Sequence, residues 1–110
     1  MIVGSDLDTR YVSRYSKNMI RRFRHRGLRR LYERGDRSRI NSTLVDKVET
    51  ALGLLDVARS PQDMDLPGYR LHALTGDLRE FWSIRVSGNW RIIFRFDGGD
   101  AYDVDLVDYH

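Results

Sequence analysis

The residues of this sequence best suited to chemistry are His72, Arg91 and the closing triplet Asp108-Tyr109-His110. His72 lies in Tyr69-Arg70-Leu71-His72-Ala73-Leu74, just before the turn-forming Thr75-Gly76-Asp77, where a side chain at a strand end can reach a cleft. An imidazole there can act as general acid or base near neutral pH, although a single strand histidine is more often structural or simply exposed. The triplet follows Val104-Asp105-Leu106-Val107, so it continues a strand-like run instead of forming a polar tail. Alternation puts Asp108 and His110 on one face and Tyr109 on the other. Asp108 could orient His110, and Tyr109 could donate a hydrogen bond or stack on a base, against the ordinary tendency of terminal residues to fray.

Arg91 follows Trp90 on the polar side of another strand-like run. It could brace an acidic loop or hold a phosphate, and fixed positive charge would stabilise the pentacoordinate transition state of RNA cleavage. These histidines and aspartates match no metal-binding pattern, and no HExxH, paired CxxC, Walker loop or GxGxxG occurs. RNA needs none, because its own 2′-hydroxyl attacks the adjacent phosphate once a base removes its proton. Histidine, carboxylate, tyrosine and arginine suffice for that. His25, set among bases in Phe23-Arg24-His25-Arg26-Gly27-Leu28, reads as a helix-entry or surface residue, and Trp82 and Trp90 read as core.

Composition narrows the setting. A chain of 110 residues fits one domain with one core. It has no cysteine, which excludes disulfides and thiolate metal sites, and no apolar run approaches the roughly 18 residues of a membrane span. The first residues, with Asp6, Asp8, Arg10, Arg14 and Lys17, lack the apolar core of a signal peptide, so a cytoplasmic protein is expected. Net charge is +3, but bases crowd residues 1–39 and acids outnumber them over 40–110. The bases are almost all arginine, the fork-shaped phosphate ligand, which raises the odds of a polyanionic partner, with a merely solvated charged face the equal alternative on composition alone.

Positioning these residues requires an α+β domain. Residues 1–18 have no sustained period and read as a flexible lead-in, with the folded domain over 19–110. Ile20–Arg24 is compatible with a first strand. Leu28, Leu31 and Tyr32 recur at helical spacing up to Gly35. Asn41 or Ser42 can cap a second helix, in which Leu44, Val45, Val48, Ala51, Leu52 and Leu55 make an apolar stripe that Ser60-Pro61 ends. Four strand-like runs follow, Tyr69–Leu74, Glu80–Val86, Asn89–Phe96 and Ala101–Tyr109, joined by Gly-bearing turns that imply an antiparallel meander with both helices on one face. Alternation sends Trp82, Ile84, Val86, Trp90, Ile92, Phe94 and Phe96 to the core, leaving Arg85, Arg91 and Arg95 to line the open face.

Met19-Ile20-Arg21-Arg22-Phe23-Arg24-His25-Arg26-Gly27-Leu28, Arg70-Leu71-His72-Ala73-Leu74, Ser83-Ile84-Arg85-Val86, Asn89-Trp90-Arg91-Ile92 and Val107-Asp108-Tyr109-His110 stand in the order found in HigB-type toxins of the RelE superfamily. Over residues 19–110 the chain resembles that family. The resemblance implies a RelE-like microbial RNase fold and ribosome-dependent, metal-independent cleavage of mRNA through 2′-hydroxyl attack to a cyclic phosphate. It also implies no cofactor and a HigA-type helix-turn-helix antitoxin, through which alone the toxin would meet operator DNA. Carried over by position, His72 and His110 transfer protons, Arg91 meets the scissile phosphate, Asp108 orients and Tyr109 positions. Arg21, Arg22, Arg24, Arg26, Arg29, Arg30, Arg79, Arg85 and Arg95 become the expected RNA-binding set.

Two positions depart from the family. Thr75 stands where some members have lysine, and Arg79 comes one residue later than in the usual Gly-Asp/Asn-Arg turn. Two other readings share the composition: a ParE-like gyrase inhibitor, which would have little reason to keep both His72 and the terminal triplet, and a non-catalytic RNA- or partner-binding module.

Overall fold

The computed structural model describes residues 20–109. The lead-in expected over 1–18, Met19 and the terminal His110 lie outside the described residues. Helix α1 spans Arg26–Arg34 and helix α2 Val45–Val57, and they precede strands β1 (His72–Ala73), β2 (Trp82–Ser87), β3 (Trp90–Asp97) and β4 (Asp100–Asp108). The strands form one antiparallel sheet in chain order.

Helix α1 begins where His25 Nδ1 accepts a hydrogen bond from the Leu28 amide at 3.1 Å, so this histidine is a cap. It ends at Gly35, as its sequence implies. The second helix starts later than Asn41 or Ser42. Asn41 Oδ1 instead receives the Thr43 amide and hydroxyl, its carbonyl receives the Leu44 and Val45 amides, and the regular helix begins from Leu44 as its cap. The short Asn41 side chain closes a local turn ahead of the helix. All six stripe residues of α2 are buried, which at roughly 1.5–3 kcal/mol per large side chain makes this the main anchor of the helical layer. The Tyr32 hydroxyl donates to Asp56 and ties α1 to α2.

The sheet meets the helices with Ile84, Val86, Ile92, Phe94, Ala101, Val104 and Leu106, all buried, while Trp82, Trp90 and Phe96 pack at the margin of that core. Gly98 and Gly99, both at positive φ, make the two-residue turn that closes β3 on β4 with Asp97 opposite Asp100. Between Ile93↔Asp105 and Arg95↔Tyr102, β4 holds one residue more than β3, and Asp103 takes φ 54° there. The bulge lets Ala101, Val104 and Leu106 all face inward although their spacing is not two throughout.

Two expected strands are reduced. Tyr69–Leu74 forms a regular strand with β2 at His72 and Ala73 alone, because Arg70 takes φ 51° and turns the chain between that ladder and the single Arg85-to-Tyr69 backbone bond. Ile20–Arg24 joins the far edge as two isolated parallel bridges to β4, Ile20 with Ala101 and Phe23 with Val104. Backbone bonds from Arg21 to Ala101 and Arg24 to Val104, both 2.8 Å, hold that segment.

Candidate functional site

The face of the sheet turned away from the helices carries the candidate site. His72 is the Cα partner of Ser83, Ser83 of Ile93 and Ile93 of Asp105, which makes one row across the four strands. One step along, Arg85, Arg91 and Val107 make the next row. Tyr109 continues β4 two residues beyond Val107, and the Arg91 guanidinium carbon stands 5.7 Å from its ring centre. His72, Arg85, Arg91 and Tyr109 therefore share one face. His72 and Arg91 are separated by two strand spacings and a two-residue offset along the strands, roughly 12 Å between Cα atoms, which long side chains can bridge around a phosphodiester.

Arg91 is the most constrained member. Its Nε and Nη1 are buried and have no hydrogen-bond partner among the described residues, and the same holds for Ser83 Oγ in the adjoining row. Buried donors left unmade cost about 1–3 kcal/mol each, so the face is poised to gain from an acceptor. A phosphate oxygen suits a guanidinium fork. Tyr109 is held in place by its amide, which donates to the Asn89 carbonyl at 2.8 Å, so the strand stays ordered to its last described residue. His72 is exposed, with Nδ1 3.0 Å from the Arg70 carbonyl oxygen.

Asp108 is the Cα partner of Trp90 and so belongs to the opposite face from Tyr109, as alternation requires. His110 lies outside the described residues. Three of the five expected catalytic residues, His72, Arg91 and Tyr109, are thus brought to one face. Asp108 stands at the same end of the sheet on the other side.

The expected RNA-binding arginines divide by their partners. Asp103 accepts from Arg22 Nε at 2.6 Å and from Arg95 Nε at 2.9 Å, and Arg21 pairs with Asp100 at 2.8 Å. These three fasten the Ile20–Arg24 segment and β3 to β4, so their charge is matched within the fold, and Arg95 does not stand open beside Arg91 as alternation alone suggests. Arg29 pairs with Glu33 at 3.3 Å, and Arg30 lies 4.0 Å from Asp36. Arg26, Arg29, Arg30, Glu33 and Arg34 line a shallow concavity of about 290 Å³ on the outer side of α1. Arg85 donates to the Gly88 carbonyl at 3.2 Å and Arg79 to that of Gly76 at 3.4 Å. Gly76–Leu78 is a 3-10 turn, so the displaced Arg79 is rotated about a turn instead of being flipped across a strand.

The open face also holds aromatic residues: Phe81, which alternation places there with Ser83 and Arg85, and Tyr102, which the sequence reading did not single out. Arg24 stacks on Phe81 at 4.8 Å, and Arg22 and Arg95 lie 5.4 and 5.0 Å from the Tyr102 ring centre. The signal for Phe81 was its place two residues before Ser83; for Tyr102 the bulge hid it. A larger cleft of about 410 Å³, between α2 and the loop at Pro67–Tyr69, includes Arg85 but none of His72, Arg91 or Tyr109. Among the described residues no three histidine, aspartate or glutamate side chains converge to hold a metal ion, and no helix is long and apolar enough to cross a membrane.

Two helices on one side of a four-stranded antiparallel sheet, with a basic and aromatic face on the other, define a RelE-like α+β domain. A family model described as the RelE-like toxin of type II toxin-antitoxin system HigB matches residues 21–110. An endoribonuclease HigB from Proteus vulgaris is 41% identical over 92 residues, covering 84% of this chain and 100% of that protein. A toxin HigB-1 from Vibrio cholerae serotype O1 is 34% identical over 86 residues, covering 76% and 90%. The chain belongs to the HigB-like toxins, and membership of a type II system implies an antitoxin as partner. Among solved structures, a YoeB/ParE toxin from Agrobacterium tumefaciens aligns with a TM-score of 0.45 at 19% identity, over 66% of this chain and 81% of that one.

Proposed function

We propose that this protein is a ribosome-dependent endoribonuclease that cuts mRNA in the cytoplasm, inhibits translation, and is neutralised by a HigA-type helix-turn-helix antitoxin. The observation that carries the reading is Arg91, beneath Tyr109 on the face that His72 shares, with two buried donors that have no partner among the described residues. The toxin domain is residues 19–110, with 1–18 an extension that takes no part in the reaction.

In this reading a histidine removes the proton of the 2′-hydroxyl, and the 2′-oxygen bonds to phosphorus as the bond to the 5′-oxygen breaks. The leaving oxygen takes a proton from the second group of the pair His72 and His110. The products are a 2′,3′-cyclic phosphate and a 5′-hydroxyl. Arg91 holds the non-bridging oxygens as charge builds on them, a contribution of about 10²–10³-fold for one well-placed donor. Tyr109 positions the nucleotide and Asp108 orients His110. Arg24, Arg26, Arg29, Arg30, Arg79 and Arg85 contact phosphates of mRNA and ribosomal RNA, while Arg21, Arg22 and Arg95 add to that field from within their ion pairs.

The test is to induce the protein, map mRNA 5′ ends across the transcriptome, and repeat with His110 deleted and with His72→Gln. Cleavage inside translated coding regions that disappears in both variants supports the proposal. Intact mRNA with gyrase-dependent DNA damage would replace it with a ParE-like action, and neither effect would leave a binding module.

A further inference from the structure

We propose that Arg70 is a positioning residue whose backbone fixes the His72 ring so that Nε2 is the nitrogen that exchanges a proton with substrate. The inference rests on the reading of His72 as catalytic and names the atom through which it acts. Arg70 sits at φ 51°, in the left-handed region, where a residue bearing a Cβ is destabilised relative to its ordinary conformations. Such conformations persist where the surroundings over-determine them, and they cluster at functional sites. Two contacts fix this one. The carbonyl of the preceding Tyr69 accepts from the Arg85 amide at 2.7 Å, and β1 begins two residues after Arg70 with His72 opposite Ser83. Between these pairings the chain turns, and the Arg70 carbonyl faces the His72 ring with its oxygen 3.0 Å from Nδ1.

A carbonyl oxygen can only accept, so Nδ1 carries the proton in this bond. A neutral imidazole has one ring proton, which leaves the lone pair on Nε2. Free histidine favours the opposite tautomer, so the contact reverses the default. His72 is exposed, which leaves Nε2 accessible to substrate. Nε2 is then the nitrogen through which His72 acts. As a neutral ring it takes the 2′-hydroxyl proton while the 2′-oxygen bonds to phosphorus and the bond to the 5′-oxygen breaks, a second acid protonating that oxygen; as an imidazolium it gives its Nε2 proton to the leaving 5′-oxygen while a second base takes the 2′-hydroxyl proton. Exchange with water restores both groups.

The same left-handed residue accounts for the shortness of β1. An extended Arg70 would lengthen the strand and turn its carbonyl away from the ring. The strand is given up at the residue where the histidine is oriented.

The experiment is nitrogen-detected NMR of the full chain with labelled histidine, at a pH where His72 is neutral, for the wild type, Arg70→Gly and Arg70→Val. In the wild type Nδ1 should resonate as the protonated, pyrrole-type nitrogen and Nε2 as the pyridine-type one. Glycine keeps the left-handed conformation accessible and should keep that pattern; valine, β-branched, should lose it. Cleavage on translating ribosomes should fall between about 10- and 10⁴-fold in Arg70→Val and be largely restored in Arg70→Gly. A wild-type Nε2–H tautomer, or an unchanged pattern in a folded Arg70→Val, overturns the inference. Should Arg70→Val fail to fold, the wild-type tautomer still decides it. His72→Gln separates the two readings: if it still cleaves, the catalytic reading fails whatever the tautomer, and if it is inactive while the wild type shows Nε2–H, only the role of Arg70 fails.

Discussion

Arg85 and Arg91 stand directly opposite each other on β2 and β3, two cations as Cα partners on the same face of the sheet. Like charges so placed oppose folding. Arg85 is partly answered by the Gly88 carbonyl, whereas two donors of Arg91 are buried with no partner among the described residues. On the proposed function, a phosphate bound at this pair would supply an acceptor for the buried Arg91 donors.

Arg91→Leu should therefore stabilise the free protein while destroying its action. The unfolding midpoint in urea is expected to rise by the equivalent of about 1 kcal/mol at an unchanged denaturant slope. Cleavage should fall by about 100-fold or more. A lower midpoint would show that Arg91 is satisfied in the folded state.

Asp103→Asn tests the junction between β4, β3 and the Ile20–Arg24 segment. The Arg22 guanidinium, and with it Arg95, holds the Asp103 carboxyl below its ordinary value of 3.8, against the opposing effect of burial. A folded value below the unfolded one contributes stability that is complete above the unfolded value and is lost as pH falls through the folded one. The wild type should accordingly lose stability below about pH 4 more steeply than the variant. Since asparagine also tolerates φ 54°, the substitution isolates the charge. The expected cost at neutral pH is about 1 kcal/mol, limited by the exposure of Arg22, and denaturant titrations across pH would measure it.

Gly27→Ala should destabilise the entry of α1. A Cβ at Gly27 would meet His25 Cε1 at 2.9 Å, the Arg39 carbonyl oxygen at 3.0 Å and Arg39 Cβ at 3.1 Å. Alanine is otherwise the better helix former, so the sign depends on this crowding. The crowding should win, with a loss of about 1–3 kcal/mol in thermal or urea unfolding. A gain in stability would mean that the Arg39 backbone yields readily.

Ribosome binding should separate arginines that have an ion-pair partner among the described residues from those that have none there. Arg26→Gln is expected to reduce the slope of log affinity against log salt by about one, the mark of one phosphate contact removed. Arg22→Gln should change that slope less and lower stability more, because its guanidinium is held by Asp103. Equal slope changes in the two variants would place Arg22 on phosphate as directly as Arg26.

Much of this molecule was legible in its residues. The stripe of α2 is buried throughout, the core sides of β2 and β3 follow the alternation of their apolar residues, and Gly35 and the Gly-bearing turns stand at the ends of elements. His25 does act at a helix entry. Each of these signals is local, set by side chains within a few positions. The length of β1 was not legible, since nothing in Tyr69-Arg70-Leu71 forbids an extended chain and only the pairing of Tyr69 with Arg85 shows where the strand gives way.

The amino-acid sequence by itself determined the elements, their core-facing sides, and the family to which the ordered motifs belong, because periodicity and short motifs act through local geometry and burial. Tertiary structure alone decided which charges are free. It set Asp103 at a bulge between Arg22 and Arg95, matched their charge within the fold, and left two donors of Arg91 beneath Tyr109 with no partner among the described residues. The physical reason is distance: an ion pair or an orphaned donor depends on side chains that the fold brings together from remote positions, and a one-residue bulge is enough to turn a carboxylate from one partner to another.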